Sequence, residues 1–217
     1  MVHPEYAQAG SLRSDIRLTT HPYSTIFIQL PVVDTEYTTA YIGLGSNLGD
    51  RAGNLALAIR AMVQASFVVH CLSNIYETEP VAIESDTYFL NMVAEVRVKD
   101  VSPTQMMARL LRMEYALGRR EKSEKKPRTI DLDILFFGKQ KVKSEFLTLP
   151  HPRLHLRKFV LCPLAEIAPN FVHPVLKKEI SEILTGCEDI SEVRRWNPNA
   201  NVPIPNGDNH AAETSAC

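Results

Sequence analysis

Several common cofactor and scaffold signals are missing from this chain of 217 residues. No GxxxxGK[ST] run occurs in it, which excludes a P-loop. Its four cysteines, Cys71, Cys162, Cys187 and Cys217, are widely scattered and form no CxxC pair. They indicate neither a zinc ribbon nor a disulfide scaffold and fit a reducing compartment. The longest apolar runs are far too short to span a bilayer. The first residues also lack a basic start followed by an apolar stretch, so a cytoplasmic protein with no membrane association is expected. Net charge is nearly absent too, at −1. A polyanion-binding surface is therefore not the main business of the protein, although small phosphorylated ligands remain open.

What is present is enough apolar sequence, 45% of residues, for one real core. Pro4, Gly10, Pro22 and Pro31 break up residues 1–37, which read as an N-terminal extension with a possible short strand over Ser24 to Leu30. Residues 191–217, rich in Pro and Asn, read as a flexible C-terminal tail. The domain is expected to span 38–190. Within it Thr39 to Leu44 reads as a strand, and Asp50 as the cap of a helix from Arg51 to about Gln64 with Leu55, Ile59, Met62 and Val63 on one stripe. Phe67 to Asn74 and Phe89 to Val98 read as strands, the latter with Ala94, Val96 and Val98 on one face. Ser102, Pro103 and Gln105 fall at the cap, first and third positions of a helix that ends at Gly118. Its Met106, Met107, Leu110, Met113 and Leu117 read as core. A strand from Ile130 to Phe137 follows. Val142 to Leu147, Phe159 to Leu161 and a short helix around Ile180 to Leu184 continue the core. Strand, helix, strand, strand, helix, strand is the order of an α+β, ferredoxin-like open sheet, mainly antiparallel, with both helices on one face.

The last strand carries Asp131 and Asp133 two residues apart. With a period of two they share one face, while Leu132 and Ile134 point the other way into the core. Residues 119–128 hold six Arg or Lys against two Glu, so cations gather on the approach to an anionic pair. One reading is Mg²⁺ with a polyphosphate, because Mg²⁺ is usually held by one or two carboxylates and by substrate phosphates. The other is a strand end whose Asp pair faces water beside a solvated basic loop. A second cluster, His151, Arg153, His155, Arg157 and Lys158, either closes around phosphate oxygens or forms an exposed prolyl turn. The glycines in Gly43-Leu44-Gly45-Ser46-Asn47-Leu48-Gly49 have GxGxxxG spacing with no acidic residue ending the second strand, which argues against dinucleotide binding. A tight turn or a close backbone approach to a ligand suits them better.

Taken together, Gly45-Ser46-Asn47-Leu48-Gly49-Asp50, Tyr76-Glu77-Thr78-Glu79-Pro80, Phe89-Leu90-Asn91, Glu114 before Gly118-Arg119, Pro127-Arg128-Thr129-Ile130-Asp131-Leu132-Asp133-Ile134-Leu135 and Leu149-Pro150-His151-Pro152-Arg153 resemble the 6-hydroxymethyl-7,8-dihydropterin pyrophosphokinase family. The resemblance covers about 40 to 185. It implies a ferredoxin-like core and a monomeric diphosphokinase of folate biosynthesis that moves pyrophosphate from ATP to the pterin with two Mg²⁺ ions. By the same resemblance, Asp131 and Asp133 are the metal ligands, and Arg119 and Arg128 join them as catalytic residues that meet the ATP phosphates. Glu114, His151 and Arg157 lie with these arginines on the nucleotide side. Thr78, Pro80, Val81, Asn91 and Phe159 form the pterin side, Asn91 reading the pterin edge and Phe159 stacking on the ring. The chain departs from relatives at Lys125-Lys126, Leu111 and Pro152. Two rival readings, an RNA-binding module and a non-catalytic nucleotide-binding domain, fit less well. The first lacks an RNP-like aromatic pair, so no nucleic-acid partner is expected, and the second has no use for both aspartates.

Overall fold

The structure, a computed structural model, describes residues 18–20, 26–28, 37–79, 87–119 and 127–198. The chain divides into two units, Met1–Thr35 and Glu36–Cys217. In the first, β1 (Leu18–Thr20) pairs antiparallel with β2 (Ile26–Ile28).

The second unit opens with β3 (Thr38–Ser46), α1 (Arg51–Gln64), β4 (Val68–Leu72) and β5 (Tyr76–Thr78). It continues with β6 (Phe89–Val98), α2 (Pro103–Ala116) and β7 (Asp131–Phe137). β7, β3, β6 and β4 lie side by side, each antiparallel to its neighbour, which is the ferredoxin-like arrangement. Local chemistry starts both long helices. Asp50 accepts from Gly53 N at 2.9 Å, and Ser102 and Gln105 form a reciprocal capping box ahead of Pro103. Gly118, at φ +96, turns the chain out of α2 in a conformation that side-chain-bearing residues rarely adopt.

Period-two alternation builds the main core. Ala40, Ile42 and Leu44 of β3, Ala94, Val96 and Val98 of β6, and Leu132 and Ile134 of β7 all pack under α1 and α2. From the helices come Leu55, Ala58 and Met62, then Met106, Leu110 and Met113. Val63, expected on the buried stripe, is 56% exposed, and the buried face runs instead through Leu55, Ala58 and Met62, at the i, i+3, i+7 spacing of one helix face.

The opposite face is also covered, which the sequence order does not announce. Phe159 to Leu161 lie in α3 (Lys158–Ile167), which packs with α4 (Ile180–Thr185) on Tyr41, Val93, Leu135 and Phe136. A β-bulge opposite Tyr41 and Ile42 lets Leu135 and Phe136 both serve this second layer. The segment from Val142 to Leu147, expected to continue the core, opens a hairpin of β8 (Val142–Lys143) and β9 (Thr148–Leu149). Ser144 and Leu147 close its turn through Ser144 N to Leu147 O, 2.9 Å. The sheet also runs past residue 190. β10 (Val193–Arg195) pairs with β5 inside the stretch expected to be a flexible tail, and buries Val193 against Tyr76 and Cys162. No helix among the described residues is long and apolar enough to cross a membrane.

Candidate active site

The site occupies the part of the second sheet face that α3 leaves open. Asp131 stands opposite Gly45 and Asp133 opposite Gly43, while Asn91 flanks Gly45 from β6. The glycines leave a shallow floor between the carboxylates and the amide. The constraint is strict at Gly45, where a Cβ would come within 3.0 Å of Asn91 Oδ1. At Gly43 a Cβ would meet only Leu135, at 3.5 Å.

Asp131 is gripped by two arginines. Arg119 Nη1 bonds Asp131 Oδ1, and Arg128 Nη1 meets Asp131 Oδ2 at 2.7 Å. The same Nη1 of Arg119 donates to Glu114 Oε1 at 2.5 Å, and that oxygen also accepts from Leu132 N at 2.7 Å. Glu114, on the buried side of α2, thus ties the helix to both β7 and Arg119. Burial, with the nearby charges of Asp131 and Asp133, pushes its carboxyl up to about 7 against the Leu132 N–H and Arg119. Burial lowers the Arg119 guanidinium, but Asp131 and Glu114 outweigh it and the net direction is upward.

Asp133 opens into a cavity, and 46% of its side-chain surface is exposed there. Crowding by the surrounding walls and the charge of Asp131 nonetheless raise it to about 6, opposed by Arg157, Arg119 and Arg128. His151 Nε2 lies 4.0 Å from Asp133 Oδ2. Its Nδ1 accepts from Arg153 N at 3.3 Å, so in the neutral ring the proton sits on Nε2 and points toward the carboxylate.

The residues expected on the pterin side assemble nearby. Asn91 Nδ2 donates to Thr78 Oγ1 at 2.7 Å, and both residues are buried. Phe159 lies under the Arg157 guanidinium, 5.6 Å from the ring centre. Pro80 and Val81 lie outside the described residues, as do Lys125 and Lys126.

These side chains line two cavities. The larger, about 820 Å³, includes Thr78, Asn91, Arg128, Arg157 and Phe159. The smaller, about 250 Å³, is walled by Met107, Leu110, Leu111 and Phe146 and is also lined by Glu114. Arg119, Asp131, Asp133 and His151 border both, so these charged groups stand where the two adjoin. All ten expected site residues that are described lie in or against these cavities.

Sequence reading missed one support. Asn47 Oδ1 accepts from Arg128 N at 2.7 Å while Asn47 N donates to Arg128 O at 3.2 Å, fixing the arginine's backbone from both sides. A polar Asn directly after the Gly45-Ser46 strand end was the available signal.

Residues 41–169 match the family model described as 7,8-dihydro-6-hydroxymethylpterin-pyrophosphokinase (HPPK). The chain is 40% identical over 164 residues to the 2-amino-4-hydroxy-6-hydroxymethyldihydropteridine pyrophosphokinase of Bacillus subtilis, covering 75% of this chain and 93% of that protein. It is 34% identical over 144 residues to the protein of the same name from Aquifex aeolicus, covering 66% and 89%. Among solved structures, an HPPK-DHPS crystallised in complex with substrates superposes with a TM-score of 0.59 at 15% identity, over 70% of this chain and 43% of that one. That likeness concerns the fold, and this chain spans less than half of the solved one. With the sequence matches covering most of the chain, the protein belongs to the 7,8-dihydro-6-hydroxymethylpterin-pyrophosphokinase family.

Proposed function

We propose that the chain transfers pyrophosphate from ATP to 6-hydroxymethyl-7,8-dihydropterin, giving AMP and the pterin diphosphate ester in folate biosynthesis. The observation that carries this reading is the meeting of two unequal cavities at Arg119, Asp131, Asp133 and His151. A transfer between two substrates needs two adjoining sites, with one substrate in each and the reacting phosphorus at their shared charged groups. Thr78, Asn91 and Phe159 offer a planar heterocycle a polar edge and an aromatic face in the larger cavity. The apolar walls of Leu110 and Leu111 suit a nucleoside base in the smaller one.

Asp131 and Asp133 share one strand face above glycines, a donor set that fits Mg²⁺ brought in with phosphates. Among the described residues no three His, Cys, Asp or Glu side chains converge, so there is no closed protein cage to favour another metal. In this reading the two carboxylates hold two Mg²⁺, which when bound supply charge neutralisation and acidify the attacking hydroxyl. Arg119, Arg128, Arg157 and His151 fix the phosphate oxygens and stabilise the charge that develops on them. Arg119 Nε has no hydrogen-bond partner among the described residues, leaving a buried donor for such an anion. Glu114 orients Arg119 and touches no reacting atom. No side chain is required as a covalent intermediate.

The test is incubation of the purified chain with ATP, Mg²⁺ and 6-hydroxymethyl-7,8-dihydropterin, followed by product mass analysis. AMP and the pterin diphosphate, both dependent on divalent metal, are expected. ADP with the pterin monophosphate would overturn the reading.

A further inference from the structure

Helix α3 delivers two groups to the larger cavity, Arg157 from its N-cap and Phe159 from its first turn. Arg157 makes no side-chain cap bond to that turn. The cap comes from 31 residues further along the chain. Lys158 N donates to Asp189 Oδ2 at 2.8 Å, and Asp189 Oδ1 accepts from Ser191 N at 3.0 Å. Asp189 is half-buried and itself lines the cavity beside Glu188. Although burial opposes ionisation, Ser191, through its side chain and N–H, and the Lys158 N–H hold its carboxyl below the usual range, so the capping anion is present at neutral pH.

Beyond Asp189 the chain ties down the other wall of the cavity. β10 begins four residues later and pairs with β5, Val193 standing opposite Thr78. Val193 is buried against Tyr76 and Cys162, with Phe159 and Leu184 packed around them. The short segment from Asp189 to Val193 therefore joins the helix that carries Phe159 to the strand that carries Thr78. It lies beyond residue 169, where the family match ends.

We infer that Asp189 is a positioning residue for the pterin half of the site, setting Phe159 and Arg157 against the wall formed by Thr78 and Asn91 through its cap on α3. It touches none of the reacting atoms. Its effect is transmitted through the first turn of the helix, which frays more readily when its N–H groups lose their acceptor. The inference rests on the function proposed above, because it assigns the larger cavity to the pterin.

The experiment compares the unsubstituted chain with Asp189→Ala, Asp189→Ser and Asp189→Asn. Calorimetry is run with 6-hydroxymethyl-7,8-dihydropterin and, separately, with Mg²⁺ and α,β-methylene-ATP, alongside thermal unfolding to establish that each variant is folded. Asp189→Ala should weaken pterin binding about tenfold, the scale of a lost helix cap. Its nucleotide affinity should fall less, about two- to threefold, because Arg157 at the N-cap would meet the phosphates while the smaller cavity does not include α3. Asp189→Ser retains a polar group too short to reach Lys158 N and should behave like Ala. Asp189→Asn retains the acceptor and should recover most of the pterin affinity. Unchanged pterin affinity in the Ala and Ser variants, or equal losses for both ligands, would overturn the positioning role. A failure of the unsubstituted chain to bind the pterin would instead remove the functional reading beneath it.

Discussion

Asp131 on β7 faces Gly45 on β3 across an antiparallel pair, so the carboxylate most heavily engaged by arginines lies beside a residue with no side chain. Gly45 also lies against Asn91, and a single methyl group there would disturb the amide. Gly45→Ala should lower stability by about 1 to 3 kcal/mol, the usual cost of overpacking. It should also weaken pterin binding as Asn91 is pushed from Thr78. Thermal unfolding and calorimetry together check both effects. Gly43→Ala, with ordinary contact distances to Leu135, serves as the control and should leave both quantities nearly unchanged.

Replacing either Asp131 or Asp133 by Ala should reduce turnover by about a hundredfold or more while the far-ultraviolet circular dichroism stays native, since each removes charge from the transfer point. The two variants should differ otherwise. Asp131→Ala leaves Arg119 and Arg128 without their shared partner, whereas Asp133, more open to solvent, leaves a smaller deficit. Asp131→Ala should therefore unfold at the lower temperature. Turnover near that of the unsubstituted protein in either variant would reject the metal assignment.

Asn91 offers the pterin edge both a carbonyl and an amide group. Asn91→Leu keeps the volume and removes both, leaving ligand polar atoms and Thr78 Oγ1 without their partner. Pterin affinity should fall by about 1 to 3 kcal/mol, and nucleotide affinity should not move. Calorimetric titration with each ligand gives the answer directly.

His173 yields a pH prediction. Its ring is buried edge-on to Phe136, and Nδ1 accepts from Val175 N at 3.2 Å and Leu176 N at 3.0 Å. Burial, with the charge of His155, lowers its pKa from 6.5 to about 4. Between those values the unfolded chain binds the proton more readily than the folded one. The contribution of His173 is therefore complete above pH 6.5 and is lost as pH falls toward 4. His173→Asn supplies a neutral acceptor in place of Nδ1. Urea unfolding at several pH values should show a shallower fall in stability over this window for the variant than for the unsubstituted protein. Comparing the two isolates His173 from Glu114 and Asp133, whose raised pKa values act in the opposite sense.

Much of the molecule was legible in the sequence because the deciding interactions are local. Ser102, Pro103 and Gln105 start α2 through bonds spanning three residues. Alternation alone puts Asp131 and Asp133 on one face of β7 and Leu132 and Ile134 on the other, and the glycine turn and the basic stretches are read from spacing and residue type, while Asn91 stood out only through the family resemblance. Other features required the folded chain. A short apolar run such as Phe159 to Leu161 serves equally in a buried strand or helix, and only packing on Tyr41, Val93 and Phe136 made it part of α3. β5 and β10 are too short to declare themselves and exist as strands because each finds a partner edge. The clamp of Asn47 on Arg128 spans 81 residues, the anchoring of Glu114 on Leu132 spans 18, and the cap of Asp189 on Lys158 spans 31. Sequence by itself determined which residues share a strand face or a helix stripe and where charge gathers along this protein. Which of them meet, and which residues hold them there, was decided by tertiary structure, because hydrogen bonds between distant segments depend on geometry that no local pattern encodes.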